Sequence, residues 1–307
     1  MRKMIVASLM AAVIATTAFS TYVPQEAFSA LYYSKIAYCS SADIASWDCE
    51  PCKQYHPQII NQVVTEGDYE SQGYIGYNPA DNQIIIAFRG SSNLPNWIAD
   101  LDFKKIPYPP CSGCEVHEGF YNVWLGQKKY LDGPLLNLTK AHPSATILVT
   151  GHSLGAAVSA IAATEIATSF PNRSVTLYNF GEPRVGNQAF AQWATTVLAT
   201  GKQYRVTHKA DPVPHLPPMS WGFLHTPHEL WYDNNGGTSY KNCTDSGSAE
   251  DPTCSDSTIP IAVMDHLLYL GICTKCSCSN FEAELQAMPP LLMPKDYVRA
   301  PEEVRLM

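Results

Sequence analysis

The sequence has few charged residues and no surplus of basic ones. Asp, Glu, Lys and Arg make up 16% of its 307 residues, and 28 acidic against 20 basic side chains leave a net charge of −8. A nucleic-acid-binding protein needs a basic surface to neutralise phosphates, so this balance argues against nucleic acid as a partner. It also argues against simple electrostatic attraction to an anionic membrane.

Apolar runs long enough to cross a bilayer are missing as well. Residues 1–20 carry two basic residues near the start, an apolar run over residues 4–15 and the tripeptide Ala18-Phe19-Ser20, which has the small-x-small form of a signal-peptidase site. The run is shorter than the roughly 20 residues that a membrane helix needs. We therefore expect a cleaved signal peptide and a secreted, extracellular protein without a transmembrane segment, an uncleaved anchor being the alternative.

The remaining chain shows no internal repeat and no second core, and a 46% hydrophobic composition suits one globular domain. Helices are predicted over residues 30–47, 120–141, 154–170 and 188–199. Strands are predicted over residues 74–77, 84–88, 146–150, 175–180 and 204–208, the first two forming a hairpin. This alternation predicts an α/β fold with a largely parallel sheet covered on both faces and an antiparallel portion at the hairpin.

The domain boundaries follow shifts in composition. Residues 21–280 are expected to form the single α/β domain. Within it, residues 234–260 are rich in Gly, Ser, Asp and Thr and indicate a surface excursion that contains Cys243 and Cys254. Residues 281–307 contain four prolines and are expected to form an extended C-terminal tail.

The chain contains ten cysteines, and three pairs have Cys-x-x-Cys spacing: Cys49/Cys52, Cys111/Cys114 and Cys273/Cys276. In a cytosolic protein this spacing suggests a zinc site or a redox dithiol. Export favours disulfides, and the gap between the first two pairs is too long for a zinc ribbon, so we expect disulfides and no metal. The sequons that begin at Asn137, Asn172 and Asn242 are candidate glycosylation sites.

The stretch ILVTGHSLGAAVSAIAA, residues 147–163, runs from an apolar strand through Gly-His-Ser-Leu-Gly into an Ala-rich helix. Side chains at Gly151 and Gly155 would clash with the neighbouring strand and helix in a sharp strand-to-helix turn. Ser153 is thereby raised clear of the sheet, with the first N–H groups of the helix aimed at any charge that develops beside it. The pattern predicts a nucleophilic serine, the alternative being a tight turn with a structural role only.

A serine nucleophile needs a histidine base and a carboxylate that orients it, expected here in the chain order Ser, Asp or Glu, His. Asp211 lies three residues beyond a predicted strand, at the edge where a parallel sheet presents its site. His266 lies near the end of the core, where a late loop can fold over the strand ends. Four histidines fail on order, His56, His117, His142 and His152, and four later ones suit structural roles, His208, His215, His225 and His228.

Several ordered motifs resemble those of the class 3 (filamentous-fungal type) lipases. The match runs from about residue 30 to residue 276, and its motifs are FRGSS (88–92), NWIADL (96–101), GHSLG (151–155), PRVGN (183–187), DPVP (211–214) and DHL (265–267). The resemblance implies an α/β-hydrolase fold in which Ser153 is the nucleophile, Asp211 the acid and His266 the base. It places the oxyanion hole at the Leu154 backbone N–H and at Ser91.

The same resemblance implies a lid over residues 92–98, with an apolar face formed by Leu94, Pro95, Trp97 and Ile98. Such a lid shields the pocket in water and buries its apolar face in lipid at an interface. The alternative for Trp97 is an ordinary core residue. The sequence departs from the family at Ala156, often a third glycine, and at Glu182, usually a neutral residue.

Family cysteine positions imply the pairs Cys49–Cys52, Cys111–Cys114, Cys243–Cys254 and Cys39–Cys276. Cys273 and Cys278 are left over, free either to pair with each other or to compete with Cys276.

These motifs predict a secreted, lid-gated triacylglycerol lipase that acts on a lipid ester at an oil–water interface through an acyl-enzyme. No cofactor is expected, and a monomer is expected. Feruloyl esterases and phospholipases share the fold and remain alternatives, as does a catalytically silent lipid-binding protein.

Overall fold

The computed structural model describes residues 21–54 and 59–278, so the predicted signal peptide and the predicted tail over 281–307 lie outside the described residues. Its α-helices are α1 (Pro24–Ile36), α2 (Ser41–Ser46), α3 (Glu50–Gln54), α4 (Leu94–Ala99), α5 (Glu118–Ala141), α6 (Leu154–Ser169), α7 (Gln188–Val197) and α8 (Val263–Leu267). Its strands are β1 (Ile60–Glu66), β2 (Gln72–Asn78), β3 (Gln83–Phe88), β4 (Lys105–Pro107), β5 (Glu115–His117), β6 (Thr146–His152), β7 (Val175–Phe180), β8 (Gln203–His208), β9 (Glu229–Tyr232), β10 (Lys241–Asn242), β11 (Leu268–Tyr269) and β12 (Ile272–Cys273). None of the helices in these two ranges has the length and apolar character that a bilayer span requires.

The central sheet has the order β1-β2-β3-β6-β7-β8-β9-β10. Within this sheet, β3, β6, β7, β8 and β9 are parallel, whereas β1, β2 and β10 pair antiparallel at the two edges. Phe88 at the end of β3 lies opposite Gly151, and His152 lies opposite Phe180 at the end of β7. The predicted parallel sheet with an antiparallel hairpin is confirmed, and three strand ends meet at one edge.

Helices cover both faces of the sheet, which explains why β3 is apolar from Ile84 to Phe88. Ile84 and Ile86 face the core that α5, α6 and α7 complete, whereas Ile85 and Ala87 face the core that α1 completes. Successive residues of a strand point to opposite faces, so a strand in the middle of such a sheet has no solvent side. Together the two cores fix the sheet between helical layers.

The structure differs from the sequence prediction in several elements, including the following three. The helix predicted over residues 30–47 is two helices, because Ser40 caps a new start, its side chain accepting a hydrogen bond from the Asp43 N–H at 3.2 Å. Strand β1 was not predicted, because the polar residues of its edge sequence, INQVVTE, obscure the alternation of apolar and polar residues that indicates a strand. The excursion over residues 234–260 contributes β10 to the sheet.

Disulfides join all ten cysteines. The four pairs implied by the family are present, and the two cysteines left over, Cys273 and Cys278, pair with each other. Cys39–Cys276 joins the chain just after α1 to the loop that follows β12, across 237 residues. This bond closes nearly the whole described chain into one covalent loop.

Removing this long-range link is expected to cost much more stability than removing a local one. Loop-closure entropy predicts a loss of about 5 kcal/mol for the double variant Cys39→Ser, Cys276→Ser and about 2 kcal/mol for Cys49→Ser, Cys52→Ser, whose cysteines are separated by 3 residues. Urea unfolding of both variants tests the ranking. Equal losses of stability in the two variants would show that the length of the closed loop makes no difference.

Candidate active site

A strained turn holds Ser153 between β6 and α6. Its backbone adopts φ 62° and ψ −132°, a conformation that non-glycine residues rarely occupy. A Cβ on Gly151 would lie 2.2 Å from the Gly155 carbonyl oxygen, and one on Gly155 would lie 2.2 Å from that of Phe88. Both glycines are therefore required by backbone contact, as the sequence predicted.

The predicted acid and base lie in direct contact. His266 Nδ1 is 2.9 Å from Asp211 Oδ2 and 3.0 Å from Oδ1, and both residues are buried. Asp211 also accepts hydrogen bonds from the Val213 N–H at 2.8 Å and from the Tyr269 hydroxyl. These donors hold the carboxylate against the imidazole, which fixes the Nδ1–H tautomer of His266 and leaves its Nε2 free as a base.

Ser153 and His266 face one small cavity. Its volume is about 10 Å³, roughly the minimum that a cavity needs to hold one water molecule. Ser153 Oγ and His266 Nε2 are both fully buried, and neither has a hydrogen-bond partner within the described part of the chain. The structure thus brings the predicted nucleophile and the predicted base to one cavity without a hydrogen bond between them, with both atoms buried.

The two predicted oxyanion donors approach the serine from neighbouring elements. Leu154 is the first residue of α6, so its N–H has no partner inside the helix. Ser91 follows β3 and lines the cavity that contains Ser153 and His266. A Cβ on Gly90 would lie 2.9 Å from Ser153 Cβ, which shows how tightly the Ser91 segment packs against the turn. Ser91 Oγ accepts a hydrogen bond from the Asn93 N–H at 3.2 Å, which leaves its own proton free to donate.

Tyr38 and His152 form a polar link that the sequence analysis did not identify. The Tyr38 hydroxyl lies 2.8 Å from His152 Nδ1, and His152 Nε2 lies 2.7 Å from the backbone carbonyl oxygen of His266. The hydroxyl also meets Gly90, whose backbone N–H is hydrogen-bonded to it. One chain of hydrogen bonds therefore joins the segments that carry Ser91, Ser153 and His266.

The hydrogen-bond partners of His152 fix its tautomer. Burial holds the pKa of His152 well below its usual range, so its imidazole is neutral. A carbonyl oxygen only accepts hydrogen bonds, so Nε2 carries the proton and donates to His266, and Nδ1 accepts from Tyr38. His152, which the chain order excludes as the base, therefore has a positioning role in the site.

Helix α4 lies over the site as the sequence predicted for a lid. Leu94 and Ile98 are buried in an apolar cluster with residues from four other segments: Phe103, Val213, Leu216, Phe223 and Leu267. Leu94 lines the cavity that holds Ser153. Trp97 does not line this cavity; it stacks on Phe120 with 6.3 Å between ring centroids and lines a neighbouring cavity of about 400 Å³.

The other late histidines are engaged elsewhere, as predicted. His208 Nδ1 lies 2.9 Å from the Asp265 carbonyl oxygen, and His225 Nε2 lies 2.8 Å from that of Pro214. One set of metal-ligand side chains, Glu229 with Cys243 and Cys254, is close together among the described residues, but its two sulfurs form a disulfide.

Glu182 finds partners inside the core. It accepts a hydrogen bond from Asn179 Nδ2, which also contacts the Ala156 carbonyl oxygen at 2.9 Å. Its other carboxyl oxygen has no partner among the described residues. Burial raises the pKa of Glu182 to about 7, although the charge of Arg205 opposes the shift. The carboxyl is therefore largely protonated below neutral pH.

Comparison with known proteins identifies the family of this chain. The sequence profile of the family described as Lipase (class 3) matches residues 85–221. A lipase of Rhizomucor miehei is 37% identical over 259 residues, which cover 81% of this chain and 70% of that protein. The chain belongs to the class 3 lipase family. A secreted mono- and diacylglycerol lipase of Fusarium solani is 36% identical over 66% of this chain and 61% of its own length.

Solved structures of class 3 lipases share the fold. The Rhizomucor miehei triacylglyceride lipase aligns with a TM-score of 0.75 at 35% identity, covering 82% of this chain and 96% of that one. A fungal lipase–inhibitor complex that served as a model for interfacial activation aligns with a TM-score of 0.74 at 35% identity, over 83% and 98% of the two chains. The predicted α/β-hydrolase fold and family resemblance are confirmed.

Removing the Tyr38 hydroxyl is expected to slow catalysis without weakening substrate binding. Tyr38→Phe breaks the link between the three segments, and the loss of one buried hydrogen bond predicts a fall in kcat of about tenfold with KM unchanged on a soluble ester. Tyr74→Phe is the matched control, because its buried hydroxyl donates to the Tyr33 carbonyl oxygen at 2.9 Å, away from the site. Equal falls in kcat in the two variants would mean that Tyr38 has a structural role only.

Neutralising Glu182 is expected to stabilise the protein at alkaline pH. The folded-state pKa is raised, so wild-type stability falls as pH rises from about 4.5 to about 7. Glu182→Gln removes this loss, and we expect it to be more stable than wild type by about 3 kcal/mol at pH ~8, with a much smaller difference at pH ~5.

Urea unfolding at both pH values measures this effect. Glu250→Gln is the control of opposite sign, because ion pairing with Arg184 at 2.8 Å holds the pKa of Glu250 below its usual range. That variant should lose stability at both pH values. A Glu182→Gln variant that is less stable than wild type at pH ~8 would contradict the prediction, because the ionised carboxylate would then stabilise the fold.

Proposed function

We propose that this class 3 lipase hydrolyses acylglycerol esters at a lipid–water interface, with Ser153 as nucleophile, His266 as base and Asp211 as the orienting acid. One observation carries the proposal: a strained serine and a carboxylate-bound histidine share a cavity beneath an apolar helix. Each feature alone has structural explanations. Their combination suits acyl transfer on a lipid.

The geometry supports an acyl-enzyme mechanism. His266 Nε2 takes the Ser153 proton, and the serine oxygen attacks the ester carbonyl. The N–H of Leu154 and the backbone and hydroxyl of Ser91 stabilise the resulting oxyanion. His266 then returns the proton to the leaving glycerol oxygen, and a water activated by the same base releases the fatty acid. Asp211 stabilises the imidazolium in both halves.

Helix α4 supports gating by the interface. In the closed arrangement, Leu94 and Ile98 are buried and the cavity at Ser153 holds no more than about one water. Moving the helix exposes this apolar surface, which costs free energy in water and little in lipid. The open state should therefore dominate only where lipid is present.

The substrate class follows from the apolar cluster and the relatives. The cluster that α4 covers contains aliphatic and aromatic side chains suited to an acyl chain, which favours lipid esters over polar aryl esters such as ferulates. The relatives are described as lipases of triacylglycerol and of mono- and diacylglycerol. Export is supported by the sequence of residues 1–20 and by five disulfides among the described residues.

The direct test follows tributyrin hydrolysis as its concentration crosses the solubility limit. A lid that is closed about ten to one in water predicts a rate increase of about tenfold when droplets form. Ser153→Ala should lower the rate at least about a thousandfold at every concentration while leaving the far-UV circular dichroism unchanged.

Methyl ferulate serves as the parallel substrate. A smooth saturating curve on tributyrin with rapid cleavage of methyl ferulate would contradict the proposal and indicate an open-site esterase. Full activity in Ser153→Ala would contradict the assignment of the nucleophile, whatever the substrate.

A further inference from the structure

We propose that Asn242 carries an N-linked glycan whose first N-acetylglucosamine packs into a cavity lined by tyrosines. This cavity has a volume of about 410 Å³, within the range of about 300–1,000 Å³ that small-molecule sites occupy. Its lining includes three aromatic and three polar side chains: Tyr22, Tyr204, Tyr240, His228, Asn242 and Thr244. It lies where β8 and β9 begin, at the end of the parallel strands opposite Ser153, so it is a second site.

Asn242 differs from the acceptors of the other two sequons in its surroundings. Asn137 lies within α5, and the buried threonine of its sequon donates a hydrogen bond to the helix backbone at 3.0 Å. Asn172 lies in the turn after α6, where Phe170, two residues earlier, packs against the hydrophobic core. Tyr240, two residues before Asn242, is 40% exposed and lines the same cavity. The preceding aromatic ring is therefore open to a sugar at Asn242 and committed to the core at Asn172.

The register of β10 directs Asn242 toward this cavity. Asn242 lies opposite Leu230 of β9, and residues directly opposite in an antiparallel pair point to the same face of the sheet. Leu230 faces the core that α1 completes, which also contains Tyr22. Alternate residues of an extended segment share a face, so Tyr240 lies beside Asn242 on that side. A sugar on Asn242 therefore meets the tyrosine rings.

The tyrosine rings form a fixed apolar surface. The ring centroid of Tyr22 is 4.8 Å from that of Tyr240 and 5.2 Å from that of Tyr204, with the rings edge to face. The hydroxyls of Tyr22 and Tyr232 are hydrogen-bonded at 2.9 Å, which fixes the central ring. An aromatic face is negative, whereas the C–H groups on a pyranose face are weakly positive. These rings can therefore bind the sugar face while its hydroxyls stay in water.

The backbone that carries Asn242 is held on both sides. Cys243 forms the disulfide with Cys254, and the Lys241 ammonium donates to the Thr253 carbonyl oxygen at 2.7 Å. A sugar attached to a fixed backbone loses less freedom when it packs than one on a loose loop. The position of the acceptor therefore favours docking of its own glycan over capture of a free sugar.

The glycan comes from a lipid-linked oligosaccharide in the secretory pathway, so the inference includes export of the chain. The Asn242 side-chain nitrogen bonds to the anomeric carbon of the donor and loses a proton, and the bond from that carbon to the pyrophosphate oxygen breaks, releasing lipid pyrophosphate. In the folded protein the Thr244 hydroxyl donates to Asp251 Oδ2 at 3.0 Å. The sequon is therefore accessible to the transferring enzyme before this segment folds.

The experiment uses the full chain secreted by a yeast that adds high-mannose glycans. Peptide mass spectrometry should find the glycan on Asn242. Endoglycosidase H then trims every glycan to one N-acetylglucosamine, so that wild type and Asn242→Gln differ by a single sugar at this position. We expect Asn242→Gln to lower the Tm of the trimmed protein by about 3 °C, because the packing of one ring is lost.

Two controls locate the effect in the cavity. Asn172→Gln, which removes the sequon in the turn after α6, should leave the Tm of the trimmed protein within about 1 °C of wild type. In a Tyr240→Thr background, which keeps a β-branched residue and removes the exposed ring, Asn242→Gln should cost less than about 1 °C.

The results decide on the sugar and on the cavity separately. An unmodified Asn242 in the secreted protein would overturn the proposal. Equal losses from Asn242→Gln with and without the Tyr240 ring, or equal losses from Asn242→Gln and Asn172→Gln, would also overturn it, because the sugar would then stabilise the fold without the cavity. Tributyrin hydrolysis should stay within a factor of about two in every variant, since Ser153 lies at the other end of the strands. The proposed lipase activity is thus tested independently.

Discussion

The close contact between the strand-to-helix turn and the end of β3 is the constraint on which the site depends. Gly155 sits against the Phe88 carbonyl oxygen so closely that no Cβ fits between them. The strain at Ser153 costs about 1–3 kcal/mol, and this packing of α6 on β3 keeps it from relaxing. Because the chain continues from Phe88 to Ser91, the same contact sets the position of the oxyanion segment relative to the serine. The predicted nucleophile and the predicted oxyanion donor are thus placed by one backbone contact.

Helix α4 covers polar groups as well as apolar ones. Ser153 Oγ and His266 Nε2 are buried, and neither makes a hydrogen bond within the described residues. Burial of Leu94 and Ile98 against the apolar cluster stabilises the closed arrangement in water. In the proposed function, a lipid surface offers the same apolar gain outside the protein, while substrate binds the polar atoms inside. The interface that supplies the substrate then also favours opening.

Much of this arrangement could be predicted from the sequence because it rests on local patterns. Apolar strands and the Gly-x-Ser-x-Gly turn are visible in the sequence itself, whereas Asp211 and His266 were selected from several acids and histidines by the family resemblance. The link through Tyr38 and His152 is not visible there, since Tyr38 lies 114 residues before its partner and no spacing rule connects them. The break between α1 and α2 was missed because helical periodicity continues across it and only the Ser40 cap marks it. Long-range polar contacts and single caps are what pattern reasoning overlooks.

Segments from near the two ends of the described chain meet at the site, which has a fixed part and a movable part. Tyr38 and Cys39 follow the first helix, and Thr274 to Cys276 come from the last loop; the Cys39–Cys276 bond joins them beside Ser153. This wall is fixed by a covalent bond and by Lys35, whereas α4 is a six-residue helix held mainly by apolar contacts. Access can therefore change at α4 without moving this wall. Because a selective site needs groups that stay in place while substrate enters, this fixed wall is the part of the site suited to determining which substrate is accepted.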